Sequence, residues 1–501
     1  MSDFSSSSAF EKKTLVGLWW IPGQERQCYG TLYFDLDGEQ KLYVLGQLED
    51  DKEASLSKLP RYDIIHGACR EDNQIKYVTI LDAICINRSI PLAHRESLSE
   101  NYISFHNVWI GTELYNRKED IVFSSFCFRM NNLEIWHDTS NRFSSKFDEH
   151  LKRISAEITT PEPLKLFSDE NVTITVDYWK EAPGFRIGQT ESTIRCIPQI
   201  HISSNSGSMP YYGDNESFEY YFFMIFQLFE LFFWGQTFFF SMRGYLKEQS
   251  LESNQFTVHV QEELFFTRDI TLKQRKHLLI PDNVLFPYYS IEDNLPELIF
   301  RFQQYYKRLK VILDSVLSSI SSTSYGMNSL PLLLFSIEGL QQIFYHSLGE
   351  GSSPENCTDY TAFNSVKEQI IQLCNTDDQK TFVKKNIYWK KTFRDRLFAI
   401  LIDQKEVFSF LDDDMCSSLA DKLKKVRNDA AHSDEREFKQ LLSPLYFGHL
   451  SFVQFLHVAI IMKACGLTSE TIQKRFDHFF NSPFREMSAI LRNHYGSTKA
   501  E

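Results

Sequence analysis

The spacing of apolar residues changes its period near residue 281, and this change constrains the fold more than any other feature. Before it, apolar and polar residues alternate in short runs such as 172–178, as in a strand with one buried face. After it, apolar residues recur every three or four positions, as in 296–320, which is the spacing of an amphipathic helix. The pattern therefore predicts an α+β protein whose β-rich N-terminal part precedes an all-helical part.

The chain is long enough for more than one domain. Its 501 residues, 43% of them hydrophobic, allow two or three domains at about 150 residues each. We predict a β-rich domain over residues 1–290 and an α-helical domain over residues 291–501. Strands are predicted over residues 32–36, 41–45, 75–81, 122–130, 172–178, 238–245 and 256–266, and helices over residues 296–320, 330–346 and 438–464.

Residues 220–240 form a phenylalanine-rich run, YYFFMIFQLFELFFWGQTFFF. Its length would suit a membrane span, which needs about 20 mostly apolar residues. However, Gln227, Glu230 and Gln236 interrupt the run, and a carboxylate is costly at the centre of a bilayer. We therefore expect a helix that packs on the sheet of the N-terminal domain, and no membrane insertion. A membrane-anchored sensor is the alternative.

Charge and cysteine usage limit the possible partners and sites. Residues 291–501 hold 25 Lys and Arg against 26 Asp and Glu, a balance of −1, so that −12 of the net charge of −13 lies in residues 1–290. The helical part can therefore still present a basic face to phosphates. The nine cysteines show no C-x-x-C spacing, which predicts reduced thiols in a cytoplasmic protein, and neither a metal site nor a cofactor. The polar start of the chain predicts no signal peptide.

Arg427, Asn428 and His432 bring a guanidinium, an amide and an imidazole together at the end of an amphipathic stretch, residues 416–426. If these residues are helical, Asn428 and His432 share one face, and Arg427 projects about 100° away. This divided arrangement requires a second surface to complete a site. The alternative is a solvated Arg and His at a helix end, with Asn428 as the C-cap.

The trio resembles the RNxxxH signature of the HEPN ribonucleases, in which two protomers dimerise so that both motifs line one cleft. The resemblance implies metal-free cleavage of RNA, in which the 2′-hydroxyl attacks the adjacent phosphate. His432, with a pKa of about 6.5 when unperturbed, then suits proton transfer near neutral pH as base, acid or positioning group. Arg427 stabilises charge at phosphorus, and Asn428 orients both.

Glu338 is a lone acid within the apolar stretch 334–340. Burying an unpaired carboxylate is costly, so this residue needs either a cation or water. It resembles an acidic position in an early HEPN helix, which implies that it pairs with Arg427 and belongs to the catalytic set. The alternative is a glutamate on a helix face that points to water.

Basic residues with interleaved aromatics occupy residues 380–396. This composition suits single-stranded RNA, because basic side chains bind the phosphates and rings such as Tyr388 and Trp389 stack on the unpaired bases. A solvated helix face is the alternative. The run ends in Arg396, and Lys422 near the RNxxxH motif extends the same basic character. The predicted RNA-binding residues are Lys384, Lys385, Lys390, Lys391, Arg394, Lys424 and Lys425.

Trp19, Trp20, Pro22 and Gly30 near the N-terminus resemble the start of the N-terminal domain of ApeA-type proteins. In that anti-phage defence family a β-rich region precedes a HEPN domain. We interpret Trp19 and Trp20 themselves as aromatic core rather than ligand contacts. The resemblance implies a HEPN endoribonuclease of abortive infection, silent until a phage component is sensed.

Together these observations predict a metal-independent endoribonuclease. Its expected substrate is transfer RNA or another cellular RNA, and its expected assembly is a homodimer or a higher even-numbered oligomer formed through the HEPN domain. The N-terminal domain is expected to sense a phage-derived trigger and to restrain the nuclease. The alternative is a catalytically silent HEPN module that binds RNA, nucleotide or protein. The complete Arg-Asn-His set favours the enzyme, because binding alone requires no imidazole beside a guanidinium.

Overall fold

The computed structural model has two compact units. It describes residues 13–34, 40–49, 59–71, 74–89, 100–105, 107–137, 143–148, 153–158, 161–181, 195–235, 237, 239–246, 261–266, 283–321, 329–345, 358–386, 392–431, 444–479 and 483–496. The first unit comprises residues 1–229 and 236–281, and the second comprises residues 230–235 and 282–501. The predicted boundary at residues 290 and 291 itself stays a prediction.

The first unit is built mainly of antiparallel strands. They are β1 Lys13–Trp20, β2 Cys28–Phe34, β3 Gln40–Leu45, β4 Arg61–Glu71, β5 Gln74–Ser89, β6 Glu100–Ser104, β7 Asn107–Gly111, β8 Val122–Phe123, β9 Ser125–Met130, β10 Phe143–Asp148, β11 Arg153–Ile158, β12 Leu164–Ser168, β13 Val172–Glu181, β14 Arg195–Ser204, β15 Met209–Pro210, β16 Phe239–Tyr245 and β17 Gln261–Phe266. Thirteen of the described strands form one sheet, in the order β12-β13-β14-β9-β16-β17-β7-β5-β4-β1-β2-β3-β6.

Strands β1 to β6 close into a ring because the long strand β5 changes partners. Its first half pairs with β7 through residues 77–81, and its second half pairs with β6 through residues 84–89. The change occurs beside Asp82, whose φ of 54° lies in the left-handed region that non-glycine residues rarely adopt. The predicted pairing of residues 32–36 with 41–45 is confirmed as the β2–β3 pairing, although its turn lies outside the described residues.

Trp19 fills the interior of the ring and is fully buried. Its indole lies against two glycines of neighbouring strands: a Cβ added at Gly67 would stand 2.4 Å from the ring, and one at Gly30 would stand 2.8 Å from it. Only glycine leaves room for such a close approach. The interpretation of Trp19 as core is therefore confirmed.

The phenylalanine-rich run forms helix α2, Phe218–Phe232, after the short helix α1, Leu133–Trp136. The rings of Phe126 and Phe128 on β9 lie 6.0 and 4.8 Å from rings of α2, so the predicted packing of this helix on the sheet is confirmed. The last residues of α2 group with the second unit, and the predicted domain assignment of this helix stays a prediction. Gly235, with φ of 69°, ends this turn in the left-handed conformation that favours glycine.

The second unit is helical, as predicted. Its helices are α3 Leu295–Ser321, α4 Ser329–Phe344, α5 Thr358–Leu373, α6 Asp377–Asn386, α7 Phe393–Asp403, α8 Asp413–Ala431, α9 Pro444–Ala464, α10 Ser469–His478 and α11 Pro483–Tyr495. The predicted helices 296–320 and 330–346 correspond to α3 and α4, and the described part of 438–464 corresponds to α9. Helix α9 packs against α3, α4, α10 and α11 and forms the core of this unit.

Helix α9 is apolar on all sides and largely buried, as expected for a helix surrounded by others. Among the described residues it is the one helix long and apolar enough to cross a membrane. However, a core helix has the same length and composition, and the buried polar side chains of α9 have partners inside the unit. His449 Nε2 lies 2.8 Å from Tyr495 Oη, and Gln454 Nε2 donates to Ser319 O at 3.0 Å.

Candidate active site

Three helices of the second unit each contribute a charged side chain to one cluster. Helix α4 carries Glu338, α7 carries Arg396, and α8 carries Arg427. We refer to these three residues as the shared-carboxylate cluster. Helix α7 starts at a capping box in which Thr392 accepts from the Asp395 backbone N–H and the Asp395 side chain accepts from the Thr392 backbone. A reciprocal cap of this kind fixes where the helix begins, and so fixes the height of Arg396 along it.

Apolar residues on the opposite side determine how each helix is rotated. On α8, Leu419, Leu423 and Val426 are buried at the spacing of one helix face. Arg427 directly follows this face, so its side chain leaves α8 at the edge of the core. Its side chain is 24% exposed. The cluster is therefore sheltered by the core without being closed off from solvent.

One carboxylate serves both guanidiniums. Arg396 Nη2 donates to Glu338 Oε1 at 2.7 Å. Arg427 Nη2 donates to the same Oε1 at 3.3 Å and to Oε2 at 3.2 Å. The predicted pairing of Glu338 with Arg427 is thus confirmed, and the alternative in which Glu338 points to water is wrong. Arg396 forms the shorter bond, although the sequence singled out Arg427.

Two aromatic rings flank the Arg427 guanidinium. Its central carbon lies 5.0 Å from the centroid of the Phe335 ring and 4.9 Å from that of Phe393. A cation over a ring face is stabilised by the ring quadrupole, but the ring accepts no directed hydrogen bond from it. Arg427 Nη1 also donates to Asn428 Oδ1 at 3.4 Å, which is long for a hydrogen bond. The rings and the amide therefore position Arg427, and its Nε–H has no acceptor among the described residues.

The cluster has more cationic charge and more donors than the carboxylate can satisfy. Two guanidiniums face one carboxylate, which leaves an excess of one positive charge. The Nε–H groups of Arg396 and Arg427 are buried, and among the described residues neither has a hydrogen-bond acceptor. Buried donors in native proteins are nearly always paired. A phosphodiester oxygen that approaches Arg427 from the solvent side would supply the missing negative charge.

Helix α4 is held beneath the cluster by a buried histidine of α9. His457 Nε2 lies 2.6 Å from Ser336 Oγ, and Nδ1 lies 2.7 Å from Val453 O. Burial lowers the pKa of His457 to about 4, so the ring is neutral at pH 7. The neutral ring donates from Nδ1 to the carbonyl, and Nε2 accepts from the serine hydroxyl, whose single proton also faces Leu333 O at 2.8 Å. This bond ties α4 to the core two residues before Glu338.

A second arginine of α7, Arg394, is engaged differently. Its Nε donates to Asp421 Oδ1 at 3.1 Å, and its Nη2 donates to Ser417 Oγ at 2.6 Å. Both partners lie on α8. Arg394 was predicted to bind RNA, but its guanidinium is occupied here in a contact between two helices. Its role in RNA binding stays an untested prediction.

The remaining predicted residues are placed as follows. Asn428 lies inside α8, which continues to Ala431, so its interpretation as a C-cap is wrong. Lys384 and Lys385 are exposed on the last turn of α6, a helix that packs on α5. Lys424 and Lys425 are exposed on α8, in the turn before Arg427. His432, Lys390 and Lys391 lie outside the described residues, so the distance from His432 to Arg427 stays open.

Sequence reasoning missed three members of the site: Arg396, Phe335 and Phe393. Arg396 was noticed only as the end of a basic run. The available signal was a shared spacing, because Phe335 precedes Glu338 by three residues and Phe393 precedes Arg396 by three residues. Residues three apart lie on one helix face, so each pair predicts a ring beside a charge.

The chemistry available at the cluster is that of charge stabilisation. Within the described ranges, no group of three or more His, Cys, Asp or Glu side chains is arranged to hold a metal ion. The functional groups brought together are guanidiniums, a carboxylate, an amide and two phenyl rings. Guanidiniums directed at a phosphate can stabilise negative charge that develops there during cleavage.

Comparison with known families gives two matches along the chain. Residues 14–301 match the family described as ApeA N-terminal domain 1. Residues 338–471 match the family described as Apea-like HEPN. The second match begins at Glu338 and includes Arg396, Arg427 and Asn428. No curated protein and no solved structure matches the chain.

Proposed function

Because the chain belongs to the ApeA family and carries an Apea-like HEPN domain, we propose that it is a metal-independent endoribonuclease of anti-phage defence. The family supports a defence role of the HEPN nuclease type. We propose further that the protein cleaves cellular RNA, transfer RNA included, during abortive infection. In this reaction the 2′-hydroxyl attacks the adjacent phosphate and the 5′-oxygen leaves.

The observation that carries this proposal is the excess of guanidinium in the shared-carboxylate cluster, at the RNxxxH arginine. Arg427 is adjacent to one carboxylate that is also bonded to Arg396 at 2.7 Å, so a phosphate oxygen can approach without meeting an isolated negative charge. The phosphate gains charge in the transition state, and a nearby guanidinium then binds it more tightly than in the ground state. A cluster built only for stability would need no surplus cation.

The other predicted residues have supporting roles in the proposal. His432 transfers a proton to or from a ribose oxygen, which an imidazole can do near neutral pH. Asn428, which accepts from Arg427, orients the arginine. The exposed lysines near the end of α6 and on α8 contact RNA phosphates. The RNA-binding set of the proposal is Lys384, Lys385, Lys390, Lys391, Lys424 and Lys425.

The proposed assembly is a homodimer or a higher even-numbered oligomer. HEPN domains generally bind RNA and often dimerise. Pairing would bring a second motif to the same cleft, so that Arg427 of one protomer and His432 of its partner face one phosphate. We propose that the protein acts in the cytoplasm, where cellular RNA is accessible. The acidic N-terminal region, residues 1–290, would respond to a phage component and release the nuclease.

Cleavage in infected cells tests this function with the full chain. Cells that produce the natural protein, Arg427→Ala or His432→Ala are infected with a panel of phages, and new RNA 5′ ends are mapped. We expect the natural protein to arrest growth and cleave RNA, and each variant to lose about a thousandfold in cleavage rate, as for removal of a catalytic charge or proton carrier. Protein purified from infected cells is then assayed with a chelator.

The matched control is Arg301→Ala, which removes an exposed arginine paired with Glu297 on α3 and should behave like the natural protein. If the natural protein and the Arg427 and His432 variants cleave RNA equally, then the proposed catalytic site is wrong. If the chelator abolishes cleavage, then the proposed metal-independent mechanism is wrong. RNA binding without cleavage, in the natural protein as in the variants, would identify the silent HEPN module instead.

A further inference from the structure

Arg396 and Arg427 both donate to the Glu338 carboxylate, and their distances from it differ. The two arginines share Oε1, where Arg396 lies at 2.7 Å and Arg427 at 3.3 Å. Charged hydrogen bonds near 2.7 Å are at the strong end of the range, and those beyond 3.2 Å are weak. Glu338 is therefore held mainly by Arg396.

We propose that Arg396 is a positioning residue that holds the Glu338 carboxylate so that Arg427 is free to move to the scissile phosphate. The inference rests on the proposed nuclease function. A part-buried carboxylate that loses its only cation is left with an unpaired charge, which is strongly unfavourable. With Arg396 in place, Glu338 keeps a partner when Arg427 leaves. Without it, Arg427 is the only cation that Glu338 has in the cluster.

The surroundings of the two arginines agree with this division of roles. The side chain of Arg396 is 18% exposed and that of Arg427 is 24% exposed, so Arg427 is the more accessible of the two. Arg427 is flanked by the rings of Phe335 and Phe393, which hold a guanidinium while allowing it to slide, because a ring face has no fixed hydrogen-bond direction. Arg396 thus acts through Glu338 and does not itself touch RNA.

The test is a double-mutant cycle on single-turnover RNA cleavage by the full-length, activated protein. Arg396→Gln should lower the cleavage rate constant at saturating RNA by about a hundredfold, which is the typical effect of losing one preorganised charge contact. The KM for RNA should change less than about twofold, because an interaction made only in the transition state affects kcat. Adding Glu338→Gln to Arg396→Gln should then raise the rate at least about tenfold, because the carboxylate that retains Arg427 is gone.

The second variant is Arg396→Lys, which keeps a cation beside Glu338 but loses the planar fork. We expect its rate to stay within about fivefold of the natural protein, since one charged contact to Glu338 is retained. Arg301→Gln is the matched control, and thermal unfolding of each variant establishes that it folds. Should Arg396→Gln fail to fold, Arg396→Lys and its KM still decide the question.

Each outcome has a distinct meaning. Recovery in the double variant, with Arg427→Ala inactive, supports the positioning role. A double variant as slow as Arg396→Gln overturns the positioning role and indicates a purely structural arginine. A KM that rises tenfold in Arg396→Lys overturns it and indicates an arginine that contacts RNA. Both outcomes leave the nuclease function intact. If Arg427→Ala cleaves like the natural protein, the nuclease site itself fails and the inference fails with it.

Discussion

Two arginines of helix α7, two residues apart in sequence, both bind carboxylates, and the difference between them separates a site from a structural contact. Arg394 donates to Asp421 and to the Ser417 hydroxyl. Arg396 shares Glu338 with Arg427. Arg394 lies beside two carboxylates, Asp421 at 3.1 Å and Asp395 at 3.8 Å, whereas the shared-carboxylate cluster keeps one positive charge in excess.

Exposure separates the two contacts further. The Asp421 side chain is 61% exposed, and that of Glu338 is 25% exposed. Solvent screens the first contact, so its ion pair contributes little. The second contact lies in a less polar setting beside two phenyl rings, where an unbalanced charge has a larger effect. A local imbalance of charge in a sheltered place therefore indicates function better than the number of basic residues in a run.

The largest expected effect comes from exchanging one arginine of each contact, Arg427 in the cluster and Arg394 in the other, for lysine. Arg427→Lys keeps the charge but loses the planar fork, and we expect cleavage to fall about a hundredfold. Arg394→Lys retains a cation beside Asp421, and we expect less than about a twofold change in rate and in KM. Single-turnover cleavage at several RNA concentrations measures both. A tenfold rise of KM in Arg394→Lys would show that Arg394 contacts RNA. The Arg394 contact would then not be purely structural.

The next effect concerns the support beneath Glu338 and is a dependence of stability on pH. The pKa of His457 is lowered to about 4 in the folded protein, against about 6.5 for an unperturbed histidine. Below pH 6.5 the unfolded chain therefore binds more protons than the folded chain does. The contribution of His457 to the free energy of unfolding is complete above pH 6.5, decreases as the pH falls, and is lost below pH 4. At pH 5 the loss is about 2 kcal/mol.

Urea unfolding of the natural protein and of His457→Gln between pH 8 and pH 5 measures this effect. We expect the variant to be less stable at pH 8 but to lose less stability on acidification. His478→Gln, at an exposed position of α10, is the control and should follow the natural profile. His449, whose pKa burial lowers to about 3, adds a similar acid loss to both proteins. Equal slopes for the natural protein and His457→Gln would show that Ser336 and His457 do not support α4 in this way.

A lone acid within an apolar helix requires a cation or water, and the resemblance of Glu338 to an acidic position in HEPN helices implied that the cation is Arg427. Arg396 was not predictable in the same way, since in sequence it is one cation among seven in residues 380–396. What distinguishes it is the rotation of α7, which depends on the burial of Leu397 and Leu401 against the rest of the unit. Tertiary packing, and not local composition, decides which cation of a run faces inward.

The division into sheet and helices was predictable for a simpler reason. The period of apolar residues is a local property, and it marks strands before residue 281 and helices after it. The closed ring of β1 to β6 was not predictable, because it depends on β5 pairing with β7 in one half and β6 in the other. Partner choice between strands is non-local, and the sequence of β5 reads as one uninterrupted strand.

The smallest expected effect compares neutralisation of the two carboxylates by measuring the free energy of unfolding. Glu338→Gln leaves two neighbouring guanidiniums without a counter-ion, and we expect a loss of about 1–2 kcal/mol, below the values for fully buried pairs because the site is partly exposed. Asp421→Asn breaks an exposed pair and should cost about 0.5 kcal/mol or less. Adding phosphate should restore stability to the natural protein's level only in Glu338→Gln, because an anion can then occupy the place between the guanidiniums. Equal losses without any effect of phosphate would mean that the cluster is an ordinary surface ion pair, and the contrast drawn between the two arginines of α7 would no longer hold.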